Sequence, residues 1–168
     1  IETTGLNPQY DRIVELGAVV FENGKCVKKY QSLVNAGIKI SLAASEVNHI
    51  TNEMLSSANT EEFVYPEFTK FIEEALNGEV IICAHNADFD MNFLKTTFRR
   101  LGISANIKYV DTLEISRACL YGIENHKQGT IADYFGIENN SSHRADSDAE
   151  VCGNILINLM PLIAEKIE

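Results

Sequence analysis

The pair Asn23-Gly24 constrains the fold most, because it stands between two strand-like runs. The runs cover residues 13–22 and 26–35. Asn-Gly is the pair that a two-residue β-hairpin turn favours, since both turn residues need a positive φ. A strand-like segment at Ile1 precedes this hairpin. The sequence therefore predicts three strands grouped at the start of the fold.

Helices and strands alternate in the rest of the chain. Short apolar runs at 79–85 and 107–112 indicate two more buried strands. The predicted helices are 60–77, 88–101, 112–121, 129–135 and 144–167, and 36–59 is loop-rich with a short helix near 52–57. Three early strands followed by this alternation predict a single α/β domain of 168 residues, with a central mixed five-stranded sheet and helices on both faces.

The net charge of −10 limits the classes of partner. A protein that holds a long nucleic acid through its phosphates usually carries a basic face, and the basic residues of this chain form only small clusters. Either nucleic acid is not the partner, or the contact is short and bound divalent metal offsets the phosphate charge.

The cysteines and the apolar runs bear on the compartment. The four cysteines form no C-x-x-C pair and are expected to be core residues in a reducing compartment. No apolar run approaches the roughly 18 residues that cross a bilayer. A cytoplasmic protein without a membrane partner is expected.

Two helices begin with an aspartate on their apolar face. Asp90 is in helical register with the buried side of the 88–101 helix, whereas Asp88 lines up with its polar side. In the last helix, Asp148 shares the apolar row and Asp146 a largely polar one. An inward carboxylate is costly unless it is paired or bound to a cation.

Two interpretations of these aspartates stay open. Either one alone could cap a helix N-terminus. Both together with Glu2, at the end of a strand, point to a shared cation site, and hard oxygen ligands favour Mg²⁺ or Mn²⁺ over zinc. His143 precedes Asp148 by five residues. It is a surface or capping residue or, beside a bound metal, a candidate general base.

Three segments carry a family resemblance. "IETTGL", "HNADFDMNFL" and "HRADSDAE", in this order, resemble the three exonuclease motifs of the DEDDh group, to which the proofreading epsilon subunit of bacterial replicative DNA polymerase and RNase T belong. The resemblance extends over essentially the whole chain. It implies an RNase H-like fold and 3′→5′ hydrolysis of phosphodiesters with two divalent metal ions, Mg²⁺ or Mn²⁺.

The resemblance also assigns roles to single residues. Glu2 matches the glutamate of the first motif, Asp90 the aspartate of the second and Asp148 that of the third, so these three are the expected metal ligands and catalytic carboxylates. His143 matches the histidine of the third motif, the expected general base. Asp90 and Asp148 are also the inward carboxylates that helical register selects.

A second set of residues is expected near the substrate. Its members lie beside the first or second motif: Thr3, Thr4, Gly5, Leu6, Asn86, Phe89 and Phe93. Leu6, Phe89 and Phe93 could stack or wedge against bases, which is binding that tolerates any sequence. Core packing is an equal alternative for Phe93. Asn86 either braces its turn or contacts substrate.

The chain departs from the family pattern in three places. The first motif reads Asp-x-Glu in the family, and an aspartate directly before Ile1 would point with Glu2 toward the metals, because residues two apart on a strand share a face. We therefore expect the first strand and its aspartate to be incomplete in residues 1–168. The family's His-Gly-Ile-Thr stretch aligns with Asn48 to Thr51, so its histidine role is not assigned to His49. Gln128 stands where leucine is expected.

The expected function is 3′→5′ exonuclease action on single-stranded 3′ ends, with DNA as substrate and a DNA polymerase subunit or fused domain as partner. The alternatives are a free-standing RNA-trimming enzyme of RNase T type, a non-catalytic nucleic-acid-binding module, and a metal phosphoesterase of mononucleotides. The sequence does not distinguish proofreading beside a polymerase from free-standing trimming of DNA or RNA.

Overall fold

The computed structural model describes residues 1–139 and 144–167. Its strands are β1 (Glu2–Thr3), β2 (Ile13–Glu22), β3 (Lys25–Leu33), β4 (Ile81–Ala84) and β5 (Lys108–Asp111). Its helices are α1 (Leu42–Asn48), α2 (Asn52–Ser56), α3 (Glu61–Phe71), α4 (Glu73–Leu76), α5 (Ala87–Leu101), α6 (Thr112–Cys119), α7 (Gln128–Phe135) and α8 (Ala145–Ile167).

The predicted hairpin is confirmed. β2 and β3 pair antiparallel, and Asn23 and Gly24 between them have positive φ angles of 52° and 78°. This combination matches the right-handed twist of the flanking strands. β1 pairs antiparallel with the other side of β2, which sets Glu2 opposite Glu15.

The five strands form two sheets rather than the single central sheet that the sequence predicts. Within the described ranges, the hydrogen-bonded ladders give an antiparallel sheet in the order β1-β2-β3 and a parallel pair β4-β5. Only Glu2 and Thr3 form β1, and its ladder is with β2. An element of two residues is too short to carry a second continuous ladder toward β4.

Strand β2 lies between two layers of helices, as expected. On one face, Gly17 contacts the backbone at Ala145, the first residue of α8, so closely that a Cβ at position 17 would clash. On the other side, Leu16 belongs to a core that includes Phe68 of α3 and Met91 of α5. Helix α8 thus packs directly on the strand that pairs with β1.

The helices differ from the prediction in two places. Helix α1 forms inside the segment expected to be loop-rich, because Ser41 accepts a hydrogen bond from Ala44 N at 3.1 Å and caps it. Leu42 and Val47 of this helix are exposed, so no apolar stripe marks it in the sequence. The helix predicted over 60–77 is divided at Ile72 into α3 and α4.

The remaining helices and strands lie close to their predicted positions. Among residues 1–139 and 144–167, no helix is long and apolar enough to cross a membrane. All four cysteines are free thiols; Cys152 is buried and the others are partly exposed.

Candidate active site

Glu2 lies on β1, and the rest of the first motif forms the turn that follows this strand. Burial raises the pKa of its carboxyl to about 7, and the charges of Asp148, Glu15 and Asp90 add to this rise. Asp90 and Asp148, the other two expected metal ligands, are therefore near enough for their charges to act on Glu2.

Asp90 lies in the first turn of α5 and is partly buried. Burial raises the pKa of its carboxyl, and the charge of Asp111 adds to this rise. The helix starts after Asn86, whose left-handed backbone (φ 64°) lets its N–H donate to Asp111 Oδ1 at 2.9 Å. Asp111 thereby fixes the turn that presents Asp90.

Asp148 lies in the first turn of α8. Its Oδ1 accepts a hydrogen bond from Asn139 Nδ2 at 3.3 Å, and its backbone carbonyl accepts one from Gln128 Nε2 at 3.0 Å. The departure at position 128 thus places an amide, not a leucine, against the backbone of a candidate ligand.

The charge of Asp146 acts on Lys29 of β3, whereas that of its neighbour Asp148 acts on the candidate metal ligand Glu2. Lys29 donates to Glu150, and this hydrogen bond is the main reason that the pKa of Lys29 is raised; the charge of Asp146 contributes to the same rise. Helical register therefore separates Asp148, which acts on Glu2, from Asp146, which acts on β3.

Four acidic side chains lie close enough to the backbone nitrogen of Ile1 for their charges to act there: Asp90, Glu2, Glu15 and Asp148. Each of these charges would favour a positive charge at that point. The site is therefore electrostatically suited to a cation.

This electrostatic environment fits a hard divalent cation. The donors are carboxylate oxygens, which Mg²⁺ and Mn²⁺ prefer. Within residues 1–139 and 144–167, no three His, Cys, Asp or Glu side chains are arranged closely enough to hold a metal ion as they stand. Glu2, Asp90 and Asp148 thus supply the charge and the donor type for such an ion, but not a closed ligand set.

His143, the expected general base, lies outside the described residues. Arg144 directly precedes Ala145, the first residue of α8.

The turn after β1 is held by Asp11. Its Oδ1 accepts from Thr4 Oγ1 at 3.0 Å, and its Oδ2 accepts from Asn7 N at 3.0 Å. A Cβ at Gly5 would lie 2.5 Å from Asp11 Oδ2, so only glycine allows this approach. Thr3 Oγ1 donates to the Gly5 carbonyl at 2.6 Å. The two threonine side chains are thus engaged within the turn.

The apolar residues expected near the substrate differ in exposure. Leu6 is 84% exposed, which is compatible with contact to a base. Phe93 is 1% exposed and belongs to the core, so its alternative role in packing is the one that its burial supports. Phe89 is partly buried and packs on Phe93, with ring centroids 5.0 Å apart. Asn86 is exposed and braces its turn through its backbone N–H.

Three acidic residues that support the site were not selected from the sequence: Asp11, Glu15 and Asp111. Glu15 had a visible signal, since it is a charged residue inside the apolar run "RIVELGAVVF". Asp11 and Asp111 had none, because an acidic residue in a loop or at the start of a helix is ordinary.

The chain matches the RNase T family model, described as exonuclease, over residues 1–156. It is 35% identical over 165 residues to the PolC-type DNA polymerase III of Caldanaerobacter subterraneus subsp. tengcongensis. It is 36% identical over 166 residues to the PolC-type DNA polymerase III of Staphylococcus epidermidis. Each alignment covers 98% of this chain and 11% of the relative, so the chain spans about a tenth of the length of these relatives.

Solved structures share the fold. E. coli Exonuclease I in complex with a dT13 oligonucleotide superposes with a TM-score of 0.77 and 17% identity, covering 98% of this chain and 41% of that one. The nuclease domain of 3′hExo, a DEDDh family member bound to rAMP, superposes with a TM-score of 0.73 and 14% identity, covering 92% of this chain and 84% of that one.

Proposed function

The chain belongs to the exonuclease family, and from this premise we propose that it is a metal-dependent 3′→5′ exonuclease acting on single-stranded DNA ends. The observation that carries the proposal is that the charges of Asp90 and Asp148 both act on the carboxyl of Glu2, so the acidic residues of the three motifs lie near one another. These carboxylates come from three separate parts of the chain.

The proposed chemistry divides between bound metal and side chains. Two divalent ions, Mg²⁺ or Mn²⁺, would lower the pKa of the attacking water and stabilise the leaving 3′ oxygen. Glu2, Asp90 and Asp148 would hold them. His143 would accept the proton of the water, because a neutral imidazole has a pKa near 6.5 and serves as a base at neutral pH. The exposed Leu6 would contact the terminal base.

DNA is the proposed substrate, and proofreading the proposed setting, because the similar curated proteins are PolC-type DNA polymerases. RNA trimming is the second candidate, since one structural neighbour was solved with rAMP. In the proofreading setting, the net charge of −10 is tolerable because the contact is confined to a short 3′ end and offset by metal.

The test uses matched DNA and RNA oligonucleotides labelled at the 5′ end, with Mn²⁺ and any residues encoded before Ile1 retained. We expect stepwise shortening of the DNA from its 3′ end and slower loss of the RNA. Asp90→Asn is the inactive control. A wild-type protein that binds Mn²⁺ and DNA but shortens neither strand would be a binding module, and faster loss of RNA would favour the trimming role.

His143 is tested separately. We expect His143→Ala to lower the rate strongly while Mn²⁺ binding, measured by calorimetry, is kept. Loss of Mn²⁺ binding in this variant would refute its role as base.

A further inference from the structure

Glu15 is a fully buried carboxylate in the middle of an apolar strand, and the proposed chemistry does not use it. Its exposure is 0%. Three groups donate to it: Ala145 N to Oε1 at 3.1 Å, Gln31 Nε2 to Oε2 at 2.6 Å and Arg144 Nη1 to Oε2 at 3.5 Å. A buried charge of this kind persists only when it is paired and hydrogen-bonded.

Arg144 extends the contact to a second segment. Its Nη2 donates to the backbone carbonyl of Asn48 at 3.3 Å. The buried side chain of Asn48 in turn donates to the carbonyl of Thr3 at 3.2 Å and accepts from Ile50 N at 3.1 Å. Glu15, Arg144, Asn48 and Thr3 therefore form one continuous network.

Both ends of this network adjoin a candidate metal ligand. Thr3 follows Glu2 on β1, and Ala145 begins the helix that carries Asp148 in its first turn. Glu15 also lies directly opposite Glu2 in the β1–β2 ladder. Glu15 therefore connects the strand that carries Glu2 to the helix that carries Asp148.

We propose that Glu15 is a positioning residue for the exonuclease reaction. Its carboxylate fixes the first turn of α8 and, through Arg144, fixes Asn48 against β1, so that Glu2 and Asp148 are held at the separation the metals require. This role rests on the proposed function. A group that supports ligands from behind acts through their orientation.

The competing role is structural, in which Glu15 stabilises the fold without effect on the site. Gln31 separates the two roles. It donates to the same oxygen of Glu15 as Arg144 does, but it lies on β3 and belongs to neither α8 nor β1. Gln31→Met therefore removes one partner of the buried carboxylate and leaves the contacts with Ala145 and Arg144.

The experiment compares Glu15→Gln, Glu15→Met, Arg144→Met and the control Gln31→Met in the full chain. Glu15→Gln keeps an oxygen for Ala145 N–H, so it should rescue part of what Glu15→Met loses. The readouts are kcat and KM on a DNA oligonucleotide, Mn²⁺ affinity by calorimetry, and amide hydrogen exchange of residues 145–148.

We expect Arg144→Met and Glu15→Met to lower kcat about tenfold or more, because small displacements of reacting groups are costly. KM should change by less than about threefold, since these side chains do not bind substrate in this account. Both variants should weaken Mn²⁺ binding and speed exchange at 145–148. Gln31→Met should leave kcat and Mn²⁺ affinity near those of the wild type.

Equal losses of kcat in Gln31→Met and Arg144→Met would overturn the proposal, as would unchanged Mn²⁺ affinity in both Arg144→Met and Glu15→Gln. If Glu15→Met does not fold, the kcat and Mn²⁺ affinity of Glu15→Gln and Arg144→Met are sufficient to test the proposal. If the wild type degrades no oligonucleotide, the proposed function fails, and the Mn²⁺ and exchange comparisons still decide whether Glu15 positions the ligands.

Discussion

Glu2 and Glu15 lie directly opposite each other in the antiparallel ladder of β1 and β2. The carboxylate of Glu15 is hydrogen-bonded inside the protein. The carboxyl of Glu2 is affected by the charges of Asp90 and Asp148 and has a pKa of about 7. Two acidic residues at one cross-strand position would normally repel. Here Arg144 and the N–H of Ala145 stabilise the carboxylate of Glu15, and the charge of Glu15 contributes to the raised pKa of Glu2.

The raised pKa of Glu2 predicts how stability changes with pH in the absence of divalent metal. Because its pKa rises from 4.5 to about 7 on folding, its contribution to stability is full below pH 4.5 and is lost as the pH rises through 7. Glu2→Gln does not titrate. We therefore expect the free energy of unfolding of the wild type, minus that of Glu2→Gln, to fall between pH 4.5 and 7 and to level off above.

Urea denaturation in EDTA at a series of pH values measures this difference. The subtraction removes the titration of groups that the two proteins share. A difference that is constant between pH 4.5 and 8 would show that Glu2 has an ordinary pKa.

Asp148 and Asp146 form a matched pair in the first turn of α8. Asp148 acts on the charge of Glu2, and Asp146 acts on Lys29. We expect Asp148→Asn to weaken Mn²⁺ binding and to lower the exonuclease rate by about a hundredfold or more, since a metal ligand is lost. Asp146→Asn should change the rate by less than about threefold. Calorimetry and a gel assay check both, and equal losses would contradict the assignment by register.

Gly17 sets the distance between β2 and α8. A Cβ at this position would clash with backbone atoms at Ala145, which cannot move independently of the helix. Gly17→Ala should therefore lower the free energy of unfolding by about 1–3 kcal/mol, as overpacking does. Because the helix start would shift, the exonuclease rate should fall as well.

Gly129 provides the control for that substitution. It lies in helix α7, and a Cβ there would meet no atom within 4 Å. Gly129→Ala should raise stability by about 0.5–1 kcal/mol, because alanine is the better helix former. Thermal and urea denaturation measure both variants. A stable, active Gly17→Ala protein would mean that the packing of α8 on β2 can relax.

Local patterns were sufficient to predict most of the fold. The Asn23-Gly24 turn and helices α5 to α8 follow from turn chemistry and apolar periodicity, which act over a few residues. Helix α1 could not be predicted in this way, because its cap is a single serine and its apolar residues Leu42 and Val47 are exposed. The division into two sheets depends on ladders between distant strands, and no local pattern encodes those.

For the candidate ligands, the sequence predicts the position of a side chain where helical register decides which side of a helix it faces. Register separates Asp90 from Asp88 and Asp148 from Asp146. It does not reveal contacts between distant segments, such as those of Glu15 with Arg144, which are 129 residues apart. Register also does not decide whether Phe93 packs in the core or contacts substrate, because its burial depends on the other segments that pack against it.

Gln128 makes a contact that the family pattern does not predict. Its side chain donates to the carbonyl of Asp148, which lies inside α8 and also accepts the regular helical hydrogen bond. Gln128→Leu thus removes one hydrogen bond without leaving the carbonyl unpaired. We expect a loss of about 0.5–1.5 kcal/mol in the free energy of unfolding and little change in Mn²⁺ affinity.

Gln128→Glu should destabilise the protein more than Gln128→Leu does. At pH 8 its carboxylate would face the carbonyl oxygen of Asp148 with no proton to share, so two acceptors would oppose each other. The free energy of unfolding should therefore decrease in the order wild type, Gln128→Leu, Gln128→Glu, as measured by urea denaturation. If Gln128→Leu instead loses Mn²⁺ affinity as severely as Asp148→Asn, the side chain of Gln128 and not the backbone of α8 holds Asp148 in place.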